Sequence, residues 1–270
     1  MTMIKPEHPI KIIFFDIDET LFIKDHDFLP DSLIPALKQL QQAGIIIAIA
    51  TGRVYCSFPS KIHQLIQELN IDTFVTANGQ HVEYKGQILR ENKIPKNIIQ
   101  DIVHFFDNNQ IEYAFINNQT LAISNPTKKL TNALNPITTN YIVDKAFFEK
   151  NDVLQLLSFS DESQDQLIKD SKLLKGLKTI RWHQDSLDIF DAQGSKAEGI
   201  EVLAKHLGFN MENIMAFGDG LNDIEMLTRV GMGIAMGNAQ PMVKDIAKYV
   251  TKSVDEDGIA YFLRQLNLIN

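Results

Sequence analysis

Residues 11–20 read KIIFFDIDET, an apolar run that ends at two aspartates one residue apart. The four apolar residues Ile12–Phe15 do not alternate with polar ones, which predicts a strand buried on both faces within a parallel sheet covered by helices. Asp16 would then lie at the carboxyl end of that strand, the edge where open α/β sheets bind ligands. Because buried carboxylates are costly, Asp16 and Asp18 together indicate a binding or reaction centre.

The composition is that of an ordinary globular chain, since 44% of the 270 residues are hydrophobic and 22% are charged. This length allows either one large domain or a core with an inserted domain. The 34 acidic and 26 basic residues give a net charge of −8. This balance disfavours general binding to nucleic acids or anionic membranes, because both need a basic protein surface.

Redox and targeting signals are few. Cys56 is the only cysteine, so no intrachain disulfide can form and a reducing compartment is favoured. The first ten residues hold no apolar signal core, and no later window approaches the roughly 20 apolar residues of a membrane-spanning helix. We therefore expect a cytoplasmic protein with no membrane partner.

Other segments also carry polar side chains to positions where predicted elements begin or end. Residues 45–50 lead into Thr51-Gly52-Arg53, residues 214–217 lead into GDGLND at 218–223, and Lys196 opens a predicted helix capped by Ser195. The carboxyl ends of parallel strands meet at one edge of a sheet. These groups are therefore expected to converge with the acids of the first strand.

Between the two flanks the pattern changes. Residues 80–93 alternate around Lys85-Gly86, which predicts a hairpin, and the strands and helices that follow lack the regular order of a parallel sheet. The stretch 124–140 has no assigned element. The middle of the chain is thus predicted to be an α+β insertion into an α/β core.

The polar groups suit one kind of chemistry. Four carboxylates at one sheet edge would raise one another's pKa unless a cation neutralised them. Mg²⁺ fits, because it takes one or two carboxylates, several waters and a substrate phosphate. The ammonium of Lys196 and the hydroxyl of Thr51 suit the remaining phosphate oxygens, so the set predicts phosphoryl transfer.

DIDET at 16–20, Thr51, Lys196 and GDGLND at 218–223 resemble, in order, the four motifs of the haloacid dehalogenase (HAD) superfamily. The resemblance implies that Asp16 is the nucleophile that becomes aspartyl-phosphate and that Asp18 is the acid/base group. It also implies two ligand sets. The phosphate would be bound by Thr51, Gly52, Lys196 and Asn222, and Mg²⁺ by Asp16, Asp219 and the backbone carbonyl of Asp18. Asp223 would be a further metal ligand or, like Asn222, would orient the groups around the metal.

The order and spacing of these four motifs are similar to those of Cof-like hydrolases. In those proteins a type IIB cap is inserted between the second and third motifs. The resemblance implies a discontinuous Rossmann-like core of residues 1–83 and 187–270, and a substrate-selecting α/β cap of residues 84–186. Asn78-Gly79 resembles the NGA segment of these proteins, although Gln80 replaces the usual alanine. GSKAEG also departs from the more usual SKG at Ala197, and neither change touches a group assigned to chemistry.

We expect a phosphatase that hydrolyses small phosphorylated metabolites, with sugar phosphates the favoured class. Two alternatives stay open. One is a phosphotransferase or phosphomutase that passes phosphate between sugars, and the other is a non-catalytic ligand-binding or regulatory module on the same fold. The sequence does not indicate the oligomeric state or the cap residues that set specificity.

Three other features have both a structural and a functional interpretation. Arg53 could contact phosphate or make a structural pair, and we favour the structural role. Cys56 is expected to be a small buried side chain rather than a nucleophile. The basic residues between 172 and 181, including Arg181, are expected to form a solvated face.

Overall fold

The computed structural model describes residues 6–270. Residues 1–5, and with them half of the stretch considered above for a signal segment, lie outside the described residues. The strands are β1 (Ile12–Phe15), β2 (Ile46–Ala50), β3 (Thr73–Thr76), β4 (His81–Tyr84), β5 (Gln87–Glu91), β6 (Glu112–Ile116), β7 (Leu121–Ile123), β8 (Ile142–Val143), β9 (Gln155–Phe159), β10 (Leu177–His183), β11 (Ser186–Asp191), β12 (Ile214–Gly218), β13 (Met232–Ala235) and β14 (Tyr249–Val250).

The α-helices are α1 (Leu33–Gln42), α2 (Ser60–Leu69), α3 (Lys96–Asn108), α4 (Lys128–Leu134), α5 (Phe147–Lys150), α6 (Glu162–Asp170), α7 (Lys196–Leu207), α8 (Ile224–Arg229), α9 (Pro241–Ile246) and α10 (Gly258–Gln265). Within residues 6–270, none of them is both long enough and apolar enough to cross a bilayer.

The larger sheet has eight strands in the order β14-β13-β12-β1-β2-β3-β4-β5. Its strands run parallel from β14 to β3, and β4 returns antiparallel to β3. β1 lies at the centre, and all four of its residues are fully buried. Ile12 and Phe14 pack with residues of α7 and α8, whereas Phe15 stacks on Phe217, whose ring meets Phe262 of α10. The predicted strand, buried on both faces, is confirmed.

The helix that opens with Lys196 has well-formed ends. Ser195 Oγ accepts a hydrogen bond from the backbone N–H of Glu198 at 3.1 Å, as expected for an N-cap. Gly208 ends the helix in the left-handed conformation, with φ 69°. The Ser195 cap fixes where α7 begins, and so where the Lys196 side chain leaves the backbone.

The smaller sheet has six strands in the order β10-β11-β9-β6-β7-β8. Its neighbouring strands are antiparallel except for β7 and β8. One face packs against α3, α5 and α6 through a cluster that includes Phe106, Tyr113, Phe115 and Phe147. The predicted α+β character of the middle section is confirmed.

The chain divides into two compact units. The first contains residues 6–52, 59–90 and 195–270, and the second contains residues 53–58 and 91–194. The main part of the second unit begins at residue 91 and ends at residue 194. Both positions come later in the chain than the predicted borders at 83/84 and 186/187, and strand pairing explains the difference. β5 extends the edge of the eight-stranded sheet, whereas β11 pairs with β9 in the six-stranded sheet.

Two details of the second unit differ from expectation. The unassigned stretch 124–140 contains α4, whose N-cap Thr127 accepts a hydrogen bond from the backbone N–H of Leu130. Arg181 is not part of a solvated face, because its guanidinium donates to both carboxylate oxygens of Asp165, at 3.1 and 2.5 Å. That prediction was wrong because spacing along one strand does not reveal an acidic partner on a packed helix.

Candidate active site

A buried ammonium group joins two aspartates that are distant in sequence. Lys196 Nζ donates to Asp16 Oδ1 and to Asp223 Oδ1, each at 2.7 Å. Asp16 directly follows β1, Lys196 is the first residue of α7, and Asp223 lies after β12. The side chains of Lys196 and Asp223 are fully buried, and that of Asp16 is nearly so. The fold therefore brings together three of the residues expected to carry the chemistry.

Asp223 also shapes the loop that follows β12. Its Oδ2 accepts hydrogen bonds from the backbone N–H groups of Asp219, at 3.0 Å, and Gly220, at 2.9 Å. Gly218 makes room for this arrangement, because a Cβ there would lie 2.5 Å from Asp223 Cγ. With Oδ1 bound to Lys196, both oxygens of Asp223 accept hydrogen bonds from the protein, and the carboxylate is held in one orientation.

Asp219 completes a cluster of three carboxylates. One oxygen each from Asp16, Asp219 and Asp223 lie within 4.8 Å of one another. Asp219 Oδ1 accepts a hydrogen bond from Thr20 Oγ1 at 3.0 Å. Thr20 belongs to the same DIDET segment as Asp16, but only the tertiary contact reveals that it orients Asp219.

Burial makes this acidic cluster electrostatically unfavourable. It raises the pKa of Asp16 to about 7 against the lowering effect of Lys196, and the charges of Asp223 and Asp18 add to the rise. Burial likewise raises the pKa of Asp219, with the charges of Asp16 and Asp223 adding to it. Burial alone would lower the pKa of Lys196, but the two carboxylates raise it. Among residues 6–270, Lys196 is the ammonium that pairs with these acids, and one such group against three carboxylates leaves the cluster short of positive charge.

The donor set of the cluster fits a hard divalent cation. Oxygen ligands are those that Mg²⁺ takes in proteins, commonly one or two carboxylates with water and a phosphate. Asp16 and Asp219 could supply those carboxylates, since both oxygens of Asp223 already accept hydrogen bonds. The shortage of positive charge and the type of donor atom point to the same class of ion.

Thr51, Gly52 and Asn222 lie around a fourth residue, Asn78. Thr51 is buried, and its carbonyl accepts a hydrogen bond from the backbone N–H of Asn78 at 3.1 Å. Asn222 Nδ2 donates to Asn78 Oδ1 at 3.1 Å. A Cβ on Gly52 would lie 3.1 Å from the same oxygen. The sequence drew attention to Asn78 only through its likeness to a family segment and assigned it no role.

Asp18, Arg53 and Cys56 have different settings. Asp18 is partly exposed in the turn after β1, where it forms a backbone bridge with Phe22. Arg53 is buried, and its Nη1 donates to the carbonyls of Ser57 and Ile137 at 2.7 and 2.9 Å, in keeping with a structural role. Cys56 is partly exposed, and partial burial raises the pKa of its thiol, which disfavours it as a nucleophile.

The chain is similar to known proteins over nearly its whole length. The sequence profile of the haloacid dehalogenase-like hydrolases matches residues 13–263. The chain is 37% identical over 262 residues to YkrA, a putative phosphatase of Bacillus subtilis strain 168, and the match covers 96% of this chain and 98% of the relative.

Two solved structures extend the comparison. A phosphatase of the same superfamily from Bacteroides thetaiotaomicron has a TM-score of 0.85 at 31% identity, with 97% of each chain covered. A subclass IIB sugar phosphatase has a TM-score of 0.86 at 28% identity, with 96% of this chain and 100% of that chain covered.

Proposed function

We propose that this chain, which belongs to the haloacid dehalogenase-like hydrolase family, is a Mg²⁺-dependent phosphatase of small phosphorylated metabolites. Family membership confirms the expected superfamily, the α/β fold and the enzyme class, a phosphoric monoester hydrolase. The observation that carries the proposal is the buried ammonium of Lys196 between Asp16 and Asp223, with Asp219 beside them. A centre with these charges suits a phosphoryl group held together with a cation.

Mg²⁺ is the proposed cofactor. Asp16 and Asp219 would supply carboxylate oxygens and Asp18 its backbone carbonyl. When bound, the ion would offset the negative charge of the phosphate and of the carboxylates. The sequence left Asp223 as either a further metal ligand or a residue that orients the groups around the metal. We assign it to holding Lys196 and the loop after β12, because both of its oxygens accept hydrogen bonds there.

The proposed reaction has two steps and needs both acids of the DIDET segment. An oxygen of Asp16 attacks phosphorus, the bond from phosphorus to the ester oxygen breaks, and Asp18 gives a proton to the departing alcohol. Asp18 then takes a proton from a water molecule as that water attacks the phosphorus of aspartyl-phosphate, which releases inorganic phosphate and restores Asp16. Asp16 is buried and Asp18 partly exposed, which suits a nucleophile and a group that meets water.

Four residues are proposed to bind the phosphate, namely Thr51, Gly52, Lys196 and Asn222. Lys196 would provide a fixed positive charge, because hydrogen bonds to two aspartates determine the position of its ammonium. Thr51 and Asn222 would provide a hydroxyl and an amide near the end of β2. Positioning of this kind is the larger part of catalysis in phosphoryl transfer.

Sugar phosphates are the proposed substrate class. Support comes from the likeness to a subclass IIB sugar phosphatase over nearly the whole chain. We place the enzyme in the cytoplasm, because its only cysteine is free and a reducing compartment keeps such a thiol intact. No nucleic-acid partner is proposed, given the net charge of −8.

Steady-state hydrolysis of p-nitrophenyl phosphate with Mg²⁺ tests the proposal, followed by phosphate release from a panel of sugar phosphates, nucleotides and other phosphorylated metabolites. Replacing the nucleophile by Asp16→Asn should lower kcat by about 10⁴-fold or more, the scale of loss when a nucleophile is removed. Asp245→Asn changes an exposed aspartate of α9 and should leave kcat unchanged.

Full activity of the Asp16→Asn protein, or of the wild type in excess chelator, would contradict the proposed mechanism. Hydrolysis of the aryl ester with no preference for sugar phosphates in the panel would leave the phosphatase in place and contradict only the substrate class.

A further inference from the structure

The turn between β3 and β4 has an unusual backbone. Ala77, Asn78 and Gly79 all have positive φ, at 49°, 53° and 85°. Glycine adopts this region freely and asparagine adopts it at small cost. Alanine is strained there, at a cost of about 1 kcal/mol or more. Ala77 and Asn78 are also almost completely buried. A strained, buried turn persists only where surrounding contacts hold it.

The side chain of Asn78 lies between two of the segments that carry proposed phosphate-binding groups. Its Oδ1 accepts the hydrogen bond from Asn222 Nδ2 at 3.1 Å. A Cβ on Gly52 would lie 3.1 Å from Asn78 Oδ1 and 3.3 Å from Asn78 Nδ2. The backbone N–H of Asn78 meanwhile donates to the carbonyl of Thr51. One residue therefore contacts the end of β2 and the loop after β12.

The same turn also contacts the start of α7. A Cβ on Gly79 would lie 1.9 Å from the carbonyl oxygen of Ser195 and 3.3 Å from the backbone nitrogen of Lys196. Gln80, fully buried, donates from Nε2 to the Asn78 carbonyl at 3.4 Å. The turn thus contacts all three segments that supply the proposed phosphate ligands.

We propose that Asn78 is a positioning residue that holds the amide of Asn222 and the Thr51-Gly52 segment in their phosphate-binding arrangement. This inference rests on the proposed function. The hydrogen bond to Asn78 Oδ1 determines which end of the Asn222 amide faces Asn78, so the bond fixes the orientation of that side chain. The left-handed turn aims the Asn78 side chain at Gly52 and Asn222.

A double-mutant cycle tests this coupling through kcat and KM for p-nitrophenyl phosphate. Asn78→Gly removes the side-chain amide but lets the backbone keep its positive φ. The effect of losing the side chain can therefore be measured without changing the turn. The variant should lower kcat/KM about 10- to 100-fold, the scale of one hydrogen bond in a charged site, with the loss mainly in KM. In an Asn222→Ala background the same change should cost at least about threefold less, because the coupling to Asn222 is gone and only the contact with the Thr51-Gly52 segment is left to lose.

Asn70→Gly is the matched control. Asn70 also has a left-handed backbone, with φ 49°, but is exposed at the C-terminus of α2. Its replacement should leave kcat and KM unchanged. Equal effects of Asn78→Gly in the wild-type and Asn222→Ala backgrounds would overturn the proposal. A wild-type protein with no turnover of any ester would instead overturn the proposed function, and with it the role on which this inference rests.

Gly52→Ala tests the contact between Gly52 and the Asn78 amide by changing Gly52 instead of Asn78. It keeps the proposal testable if Asn78→Gly folds poorly. The added methyl would press on the Asn78 amide while keeping the backbone N–H of residue 52, so KM should rise about tenfold with little change in kcat. In a folded Asn78→Gly background most of this further rise should disappear, since the next neighbour of such a Cβ, Asn222 Nδ2, lies at an ordinary contact distance of 3.4 Å. Wild-type KM for Gly52→Ala alone would also contradict the proposal.

Discussion

The ammonium of Lys196 lies 2.7 Å from Asp16 Oδ1, and both groups are buried. The two residues are 180 positions apart in sequence. The contact places a fixed positive charge beside the proposed nucleophile, and the second contact of Lys196, with Asp223, fixes that charge from the other side.

Removing the Lys196 ammonium should be costly for both stability and activity. Lys196→Met would leave two buried carboxylates without their partner, so the free energy of unfolding should fall by about 3–5 kcal/mol, and turnover should be lost. Lys205→Met is the matched control on the same helix, because Lys205 is exposed and its pair with Glu201 should be worth less than about 1 kcal/mol. Urea denaturation and p-nitrophenyl phosphate turnover measure both effects. Similar losses of stability and turnover in Lys196→Met and Lys205→Met would contradict the role given to the Lys196 ammonium.

The raised pKa of Asp16 predicts a pH-dependent effect of Asp16→Asn in metal-free protein. The folded protein keeps a proton on Asp16 up to about pH 7, whereas the ordinary pKa is 3.8. Between these values the folded state binds more protons than the unfolded state, so the contribution of Asp16 to stability decreases as the pH rises. The free energy of unfolding of Asp16→Asn, taken relative to the wild type, should therefore be more favourable at pH 8 than at pH 5.

Urea unfolding in chelator at the two pH values measures this difference. Asp245→Asn, which changes an exposed carboxylate, should show no comparable increase. A difference in unfolding free energy between Asp16→Asn and the wild type that is the same at pH 5 and pH 8 would show that burial does not raise this pKa.

Asp18→Asn should discriminate between substrates by their leaving groups. An alkyl alcohol needs a proton to depart, whereas p-nitrophenolate leaves without one, so loss of the general acid should be larger for an alkyl phosphate. We expect the ratio of aryl to alkyl kcat/KM to increase by about tenfold or more. Parallel assays with glycerol phosphate and p-nitrophenyl phosphate would measure it. An unchanged ratio would remove the proton-donor role while leaving open a role in the second step.

Gly79→Ala should be far more damaging than the same change in another left-handed glycine. The new Cβ would lie 1.9 Å from the Ser195 carbonyl, and either the turn or the start of α7 would have to move. Gly86 has a similar φ, 76° against 85°, but no atom within 4 Å of a Cβ, so Gly86→Ala should cost about 1 kcal/mol from backbone strain alone. Thermal unfolding and kcat/KM measure the difference. Equal effects would mean that the turn does not support α7.

Much of the fold could be predicted from local patterns. The run Ile12–Phe15 forms β1 with the predicted bounds, and the helix predicted to open at Lys196 behind a Ser195 cap begins there, because a continuous apolar run and a capping serine are local signals. The stretch 124–140 could not be assigned, since α4 is short and lies among turn-forming residues. Arg181 was misjudged because its partner Asp165 belongs to another element.

The sequence by itself determined the family, the central buried strand and the order of the polar segments that follow predicted strands. These features are local, since an apolar run and the residue after it need no knowledge of their neighbours. Only the tertiary structure decided that Lys196 pairs with both Asp16 and Asp223, that Thr20 orients Asp219, and that Asn78 contacts Gly52 and Asn222. Those contacts depend on strand register and on the close approach that glycines allow, and both arise only when distant segments pack together.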